Sequence, residues 1–381
     1  MKVVFDLDAA LRNRYSGFYT FASGLLRGIN LLQERPDMIL LFQKRYEKEA
    51  GNIVSGLGAW AEPRPCPFRF RWIENLWRFL PRPSMKSLAG EFDLFHCFHH
   101  FMPSQKTKPR LLTIHDLRRY RLPEMYPGSR LRPFETAVKR ADHFIAVSES
   151  TRKDLCRIFD IDPGRVDVVH LACGRKIPAL DKRRIEEMKR RLIERYGLKF
   201  ENYLICFSSK DRRKNIKRTT EAFKAALSDL PEGMGLVIVG RLPPSLEINS
   251  QYIFTPGPVD DIIPWLVSSN GLIFTSLYEG FGLPILEGFQ AGIPVITSNC
   301  SSMPEVSGDA AILVDPYDAR QIRDAINTIV LDKNAARSLV DAGRKRLEHF
   351  SWKKTAEKTA AIYQKLVRID PSHAGRSYGK G

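Results

Sequence analysis

The chain has 381 residues, is 43% hydrophobic and 10% aromatic, and carries a formal net charge of +17. That length exceeds one ordinary core and suits two domains; the composition excludes a disordered chain, and no apolar run approaches the roughly 18 residues of a membrane span. The positive charge is spread over both halves, the first more than the second, and attracts anions: nucleic acid, an anionic membrane surface or phosphorylated substrates.

The chain begins MKVVFDLDAA, a buried-strand pattern with no signal-peptide pattern before it. From there VVFDL, MILLF, FDLFHCF, LLTIHD, HFIAVS and VDVVHL read as buried strands of a first half. FYTFASGLLRGINLL, RPFETAVKRA and ESTRKDLCRIF between them show helical periodicity. LACGRKIPAL breaks this series, and a charged helix, DKRRIEEMKRRLIERYG, follows. A second series then opens with YLICFSS and runs through GLVIVG, YIFTPG, GLIFTS, IPVITS and AAILVD, with helices IKRTTEAFKAAL, PILEGFQAG and DARQIRDAINTIV between. Strand–helix alternation predicts parallel sheets covered on both faces. The restart predicts an α/β chain of two doubly wound Rossmann-like domains facing a cleft, with the boundary near Gly174–Pro178. The expected division is 1–175, 176–352, and 353–381 as a helix returning to the first domain followed by a disordered tail (PSHAGRSYGKG). Ligands of such sheets bind beyond the carboxyl ends of the strands.

Residues 67–90 break the rhythm. Arg69, Arg71, Arg78, Arg82 and Lys86 interleave with Phe68, Phe70, Trp72, Trp77 and Phe79. Basic residues beside bulky aromatics suit an interfacial membrane contact; the alternative is a surface helix whose aromatics pack on its own sheet. The six cysteines are scattered without a C-x-x-C pair, which suits reduced thiols of a cytosolic protein.

Candidate chemistry concentrates in the second half. In YEGFGLPILEG, Glu279 and Glu287 flank a turn in which Gly280 and Gly282 let a ligand approach the backbone. Pro284 suits the first turn of a helix, whose free N–H groups can hold hydroxyls or a phosphate oxygen. Glu287, one turn in, can accept two hydrogen bonds from a ribose diol; Glu279 can accept from a second sugar. An ordinary capped helix with acidic residues near its start explains Glu287 but not Glu279 or the glycines. FSSKDRRKNIKR crowds Lys210, Arg212, Arg213, Lys214 and Lys217 at the end of a strand, either a diphosphate site or a solvated charged face. In the first half, His115 and Asp116 end a buried strand, where a neutral His can meet a substrate hydroxyl or simply be a satisfied core residue. HCFHH resembles metal-ligand spacing, but His99 and His100 are adjacent and no second cluster is evident. Asp6 and Asp8 form a D-x-D at the end of the first strand, where shared metal binding is not expected.

Taken in order, these segments resemble the retaining, GT-B-fold glycosyltransferases of family 4. Glu279-x7-Glu287 is similar to that family's E-x7-E motif. TIHDLRRYRLPEMYP, AVSESTRKDLCRIFDIDPGRVDVVHLACG, RRKNIKRTTEAF and LYEGFGLPILEGFQAGIPVITSNCSSMPEVSGDAAILVDPYD carry the likeness over nearly the whole chain. The wording of these motifs looks most like the mannosyltransferase-type branch of O-antigen and capsule pathways, which includes users of GDP-mannose and GDP-D-rhamnose. The resemblance implies that Glu287 binds the nucleotide ribose, and that Glu279 with Gly280, Phe281, Gly282 and Leu283 binds the donor sugar. It implies that Arg213 and Lys214 stabilise the leaving diphosphate, that Val259 meets the base through its backbone, and that His115 faces the donor sugar. Gly17, in a first loop, and Asp116 would lie toward the acceptor. Many members carry Gly-Arg about six residues before the lysine; here those positions fall near Ser208 and Ser209, which leaves Arg212 and Arg213 both open as the phosphate ligand. Ser208 is kept with the donor site.

The implied activity is retaining hexosyl transfer, mannose or D-rhamnose, from a GDP-sugar to a polyprenyl-diphosphate-linked saccharide in O-antigen or lipopolysaccharide synthesis. No metal or other cofactor is implied, the expected place is the inner face of the cytoplasmic membrane through Phe68 to Lys86, and no nucleic-acid partner is expected. On this reading Glu279→Ala lowers kcat/KM sharply and leaves the fold intact. Alternatives are the same chemistry with a UDP-sugar, a phosphorylase, synthase or epimerase on the same fold, and a non-catalytic basic protein binding RNA or membrane, although no RNA-recognition motif is present.

Overall fold

The computed structural model describes residues 1–14, 16–128, 131–244 and 246–369, and the statements below concern those residues. The expected disordered tail lies outside them. The chain divides into two compact units: Met1–Leu117, Gly128–Gly174 and Ser351–Gly381 in one, Arg118–Pro127 and Arg175–Phe350 in the other.

In the first unit, seven strands form one parallel sheet: β1 (Lys2–Asp6), β2 (Asp37–Gln43), β3 (Ala61–Cys66), β4 (Leu94–Cys97), β5 (Arg110–Ile114), β6 (His143–Ala146) and β7 (Val166–Val168). The order is β3-β2-β1-β4-β5-β6-β7. Val3, Val4 and Phe5 of β1 are fully buried, as expected for a central strand covered on both faces. The sequence reading missed β3, whose AEPRPC holds two prolines. Proline cannot donate to a ladder, and β3 tolerates Pro63 and Pro65 because it is the edge, paired to β2 alone.

Helix Gly17–Asn30 starts at Ser16, whose hydroxyl accepts from Tyr19 N. Phe21, Leu25, Leu26 and Ile29 turn inward, while Gly24 and Gly28 admit the close approach of helix Trp352–Ile369. A Cβ on Gly28 would fall 2.1 Å from the Trp352 carbonyl oxygen, and one on Gly24 2.2 Å from its indole. Trp352 Nε1 donates to Cys173 O (2.9 Å) and Thr355 Oγ1 to His170 O (2.8 Å), fixing this last helix beside the segment after β7.

The basic-aromatic segment divides, residue by residue, between buried and exposed side chains. Phe70, Ile73 and Trp77 are buried, with the Phe70 and Trp77 rings stacked on Phe101 at 3.9 and 5.1 Å. Phe68, Trp72, Leu76, Phe79 and Leu80 project outward among exposed Arg69, Arg71, Arg78, Arg82 and Lys86; Phe79 is 86% and Trp72 62% exposed.

The second unit holds β8 (Asn202–Ser208), β9 (Met234–Gly240), β10 (Ile253–Gly257), β11 (Gly271–Phe274), β12 (Val295–Ser298) and β13 (Ile312–Val314). All pair in parallel in the order β10-β9-β8-β11-β12-β13. Leu204, Phe223, Leu236, Ile238, Ile273, Ile296 and Ile326 belong to the core on one face. Counted within the unit, this is the 3-2-1-4-5-6 order of dinucleotide-binding folds, whose strand order reverses between β8 and β11. In folds of this order ligands bind beyond the carboxyl ends of the strands at that reversal.

Two expectations are corrected. Residues 118–127 belong with the second unit although they fall within the expected first domain, 1–175: Tyr126 Oη donates to the Asp211 carboxylate at 2.7 Å. Gly17 is the first residue of a helix, not a loop residue, because Ser16 caps the helix directly before it.

Candidate functional site

Two loops meet at the β8/β11 switch point. After β8, Asp211 caps a single tight turn, Arg212–Lys214, by accepting from Arg213 N. Asn215, at φ 59°, then turns the chain into helix Ile216–Ala226, its amide donating to Thr275 O (3.1 Å) and Pro316 O (2.7 Å). After β11, the loop runs through Tyr278–Glu279–Gly280 to Gly282, whose φ of 105° favours glycine, and enters helix Leu283–Ala291. Leu277 N donates to Arg213 O (2.8 Å), joining the loops. Ser302 Oγ donates to Glu279 O (2.9 Å) and Phe281 O (2.8 Å), and Ser301 Oγ also donates to Glu279 O. These contacts hold the glycine turn against helix 303–307.

The ionic core of the site is compact. Lys214 Nζ lies 2.7 Å from Glu279 Oε1 and Arg213 Nη1 2.5 Å from Glu279 Oε2. Arg213 Nη1 also donates to Tyr278 O (2.7 Å), and its Nε to Asp211 Oδ2 (3.0 Å). Burial alone would push the Glu279 carboxyl up; Lys214 and Arg213 outweigh it and lower it to about 2. Burial also lowers Lys214, with Glu279 opposing. Glu279 is thus a fixed anion between two cations, and too weak a base to take a proton near neutral pH. A carboxylate has about four lone-pair positions, so it can still accept from hydroxyls. Of the two arginines, Arg213 is 7% exposed and inside the cluster, whereas Arg212 is exposed.

Glu287 sits on the fifth residue of helix 283–291, with Arg175 Nε 3.8 Å from its Oε1. Burial raises its carboxyl, against the pull of Arg175 and Lys214. Ser208 ends β8 with its hydroxyl donating to Arg241 O (3.0 Å), and Val259 follows β10 at the same carboxyl-terminal end of the parallel strands. Phe281 is buried, packing edge-on against Phe350 at 5.8 Å; it supports the turn from beneath, and Leu283 opens the helix.

In the first unit, His115 follows β5 and is enclosed by Phe18 (5.1 Å), Phe21 (4.7 Å) and Phe98 (6.1 Å), all edge-on. Burial lowers it to about 3, so it is neutral, and its buried Nε2 has no hydrogen-bond partner among the described residues. A buried polar atom of this kind calls for an external partner. Gly17 begins the helix that supplies Phe18 and Phe21, and Asp116 follows His115. The D-x-D is not alternating strand: Asp8 opens helix Asp8–Leu11, and its N donates to Asp6 Oδ1 (3.1 Å). Burial, then the neighbouring Asp8, raises Asp6 well above the usual range. His100 Nδ1 pairs with Glu74 (2.8 Å). Among the described residues no group of three or more His, Cys, Asp or Glu is placed to hold a metal ion.

Sequence reasoning missed Asp211, Tyr126 and Arg175. Asp211 left a faint signal, a lone acid inside KDRRK; the other two left none.

The sequence model described as glycosyl transferases group 1 matches residues 188–346, and that of glycosyltransferase family 4 matches residues 32–172. This chain is a family 4 glycosyltransferase. Among its relatives, O-antigen chain mannosyltransferase B of Escherichia coli is 25% identical over 305 residues, covering 75% of this glycosyltransferase and 78% of the relative. The serotype-specific mannosyltransferase WbdA of the same species is 29% identical over 60% of this chain, a match that spans 29% of that longer protein. A glycosyltransferase structure from Rickettsia africae superposes with a TM-score of 0.72 at 17% identity, covering 97% of this chain and 99% of that one, which supports the fold.

Proposed function

We propose that this glycosyltransferase moves a hexose, mannose before D-rhamnose, from a GDP-sugar to a saccharide carried on a polyprenyl diphosphate, with retention, in the synthesis of a cell-surface polysaccharide. The observation that carries the proposal is the Glu279 carboxylate bracketed by Lys214 and Arg213 at the switch point of the second sheet. The names of the O-antigen relatives support the choice of sugar and product.

In this reading Lys214 and Arg213 stabilise the charge that develops on the leaving diphosphate, with no reorganisation needed at the moment of reaction. Glu279 and the backbone of Gly280–Gly282 hold the donor hydroxyls, and Glu287 accepts from the ribose diol. The C1–phosphate oxygen bond breaks as the acceptor oxygen bonds C1 on the same face. The acceptor proton passes to the departing phosphate oxygen, which fits a Glu279 too acidic to serve as base. The outward face of Phe68, Trp72, Leu76, Phe79 and Leu80 among five cations suits an anionic bilayer carrying the acceptor.

Thermal shifts with GDP, UDP, ADP and dTDP test the donor, followed by GDP release from GDP-mannose with a lipid-linked saccharide extract. Stabilisation by GDP above the others, with acceptor-dependent GDP release, is expected. A preference for UDP overturns the donor assignment, and silence toward all four overturns the site.

A further inference from the structure

Arg213 is held on two sides, and one side has no role in the reading above. Its Nε and backbone N both donate to Asp211, at 3.0 and 3.2 Å. Asp211 is in turn held by the Tyr126 hydroxyl, 2.7 Å from each carboxylate oxygen. Tyr126 comes from 118–127, the segment that leaves the first unit's run of chain and joins the second. Arg118 of that segment lies over the Tyr126 ring (5.9 Å) with its Nη1 4.0 Å from Asp211.

We propose that Asp211, fixed by Tyr126, is a positioning residue that sets both the orientation and the remaining charge of the Arg213 guanidinium toward the diphosphate of the donor. The proposal rests on the reading that Arg213 and Lys214 receive that diphosphate. A guanidinium is one rigid plane. With Nε on Asp211 and Nη1 on Tyr278 O and Glu279, the plane cannot rotate, and the direction of Nη2 follows. The cations are also paired before any ligand arrives. Two carboxylates, Asp211 and Glu279, face Arg213 and Lys214, with Arg118 at 4.0 Å from Asp211 as a more distant third cation, so an arriving diphosphate meets cations already paired with fixed carboxylates. Such a site binds its anion less tightly than bare cations would, and holds the geometry that the transition state needs.

The test compares wild type with Asp211→Asn and Tyr126→Phe, measuring binding of inorganic diphosphate and of GDP by calorimetry, and kcat and KM for the donor. Inorganic diphosphate removes any dependence on the base. Asp211→Asn keeps the size of the side chain and deletes a negative charge. It is expected to bind diphosphate about tenfold tighter while kcat falls about tenfold or more, opposite signs that a merely structural residue does not give. Tyr126→Phe keeps the ring and loses one hydrogen bond, and is expected to lower kcat about threefold to tenfold with diphosphate affinity unchanged. Binding and kcat falling together in Asp211→Asn, or both staying at wild-type values, overturns the proposal. If Asp211→Asn does not fold, wild-type kcat in Tyr126→Phe overturns it. Failure of the wild type itself to bind diphosphate or GDP overturns the underlying site reading instead.

Discussion

Glu279 invites the most quantitative perturbation. The sequence alone suggests that Glu279→Ala spares the fold, and the structure revises that. Both carboxylate oxygens are within 2.7 Å of a buried cation. Removing one partner of such a group leaves the others buried and uncompensated, at a cost of about 3–5 kcal/mol. For a unit of this size, at about 2–4 °C per kcal/mol, the melting temperature falls by on the order of 10 °C. The pH dependence gives a sharper signature. A carboxyl lowered from an ordinary 4.5 to about 2 contributes stability that is fully present above 4.5 and is lost as pH falls toward 2. The loss is on the order of 3 kcal/mol. Glu279→Gln cannot titrate, so the wild-type advantage over it should be large at pH 7 and should shrink steadily between pH 4.5 and pH 2. Scanning fluorimetry across pH 3 to 7 on both proteins, with kcat/KM at pH 7, makes the comparison. Equal melting temperatures at pH 7, or an advantage that persists unchanged at pH 3, would refute the ion-pair account of this residue.

Two further outcomes follow from the same geometry. Burial raises the Glu287 carboxyl, so its ionised form costs stability that returns as pH falls; Glu287→Gln should melt higher than wild type at pH 7 and bind GDP about 10- to 100-fold more weakly, as calorimetry would show. A lower melting temperature together with unchanged GDP affinity would contradict this. Trp72→Ser with Phe79→Ser should reduce sedimentation with phosphatidylglycerol vesicles at least about tenfold, at about 1.5–3 kcal/mol for each large apolar side chain, and leave GDP binding alone. Unchanged vesicle binding would rule out that face as the membrane contact.

Most of the fold was legible because buried parallel strands leave an unmistakable trace. VVF, ILLF, LIC and VIT read as strands from local sequence, and the observed β1, β2, β8 and β12 lie over them. β3 was not, because proline at Pro63 and Pro65 argues against a strand unless the edge position is known in advance. The motif residues Arg213, Lys214 and Glu279 were legible as chemistry, and the structure brings them into contact. Their fixation was not. Tyr126 meets Asp211 across 85 positions of chain, and no periodicity or spacing encodes such a pair. The aromatic segment shows the limit in another way: Phe70 and Phe68 look alike in sequence, yet one stacks on Phe101 and the other faces outward.

The last described helix bears on how the protein is made. Trp352–Ile369 rests on helix Gly17–Asn30 through Gly24 and Gly28, so the unit that is begun first is finished last. A ribosome adding about 5–20 residues per second needs on the order of ten seconds or more to pass from Arg175 to Phe350. Throughout that interval the glycine face of the early helix waits uncovered, while the whole second unit emerges and can close its own core. Completion of the first unit therefore waits for its last helix, and a chain that stops short of Trp352 would carry a closed second unit and a first unit with an exposed seam.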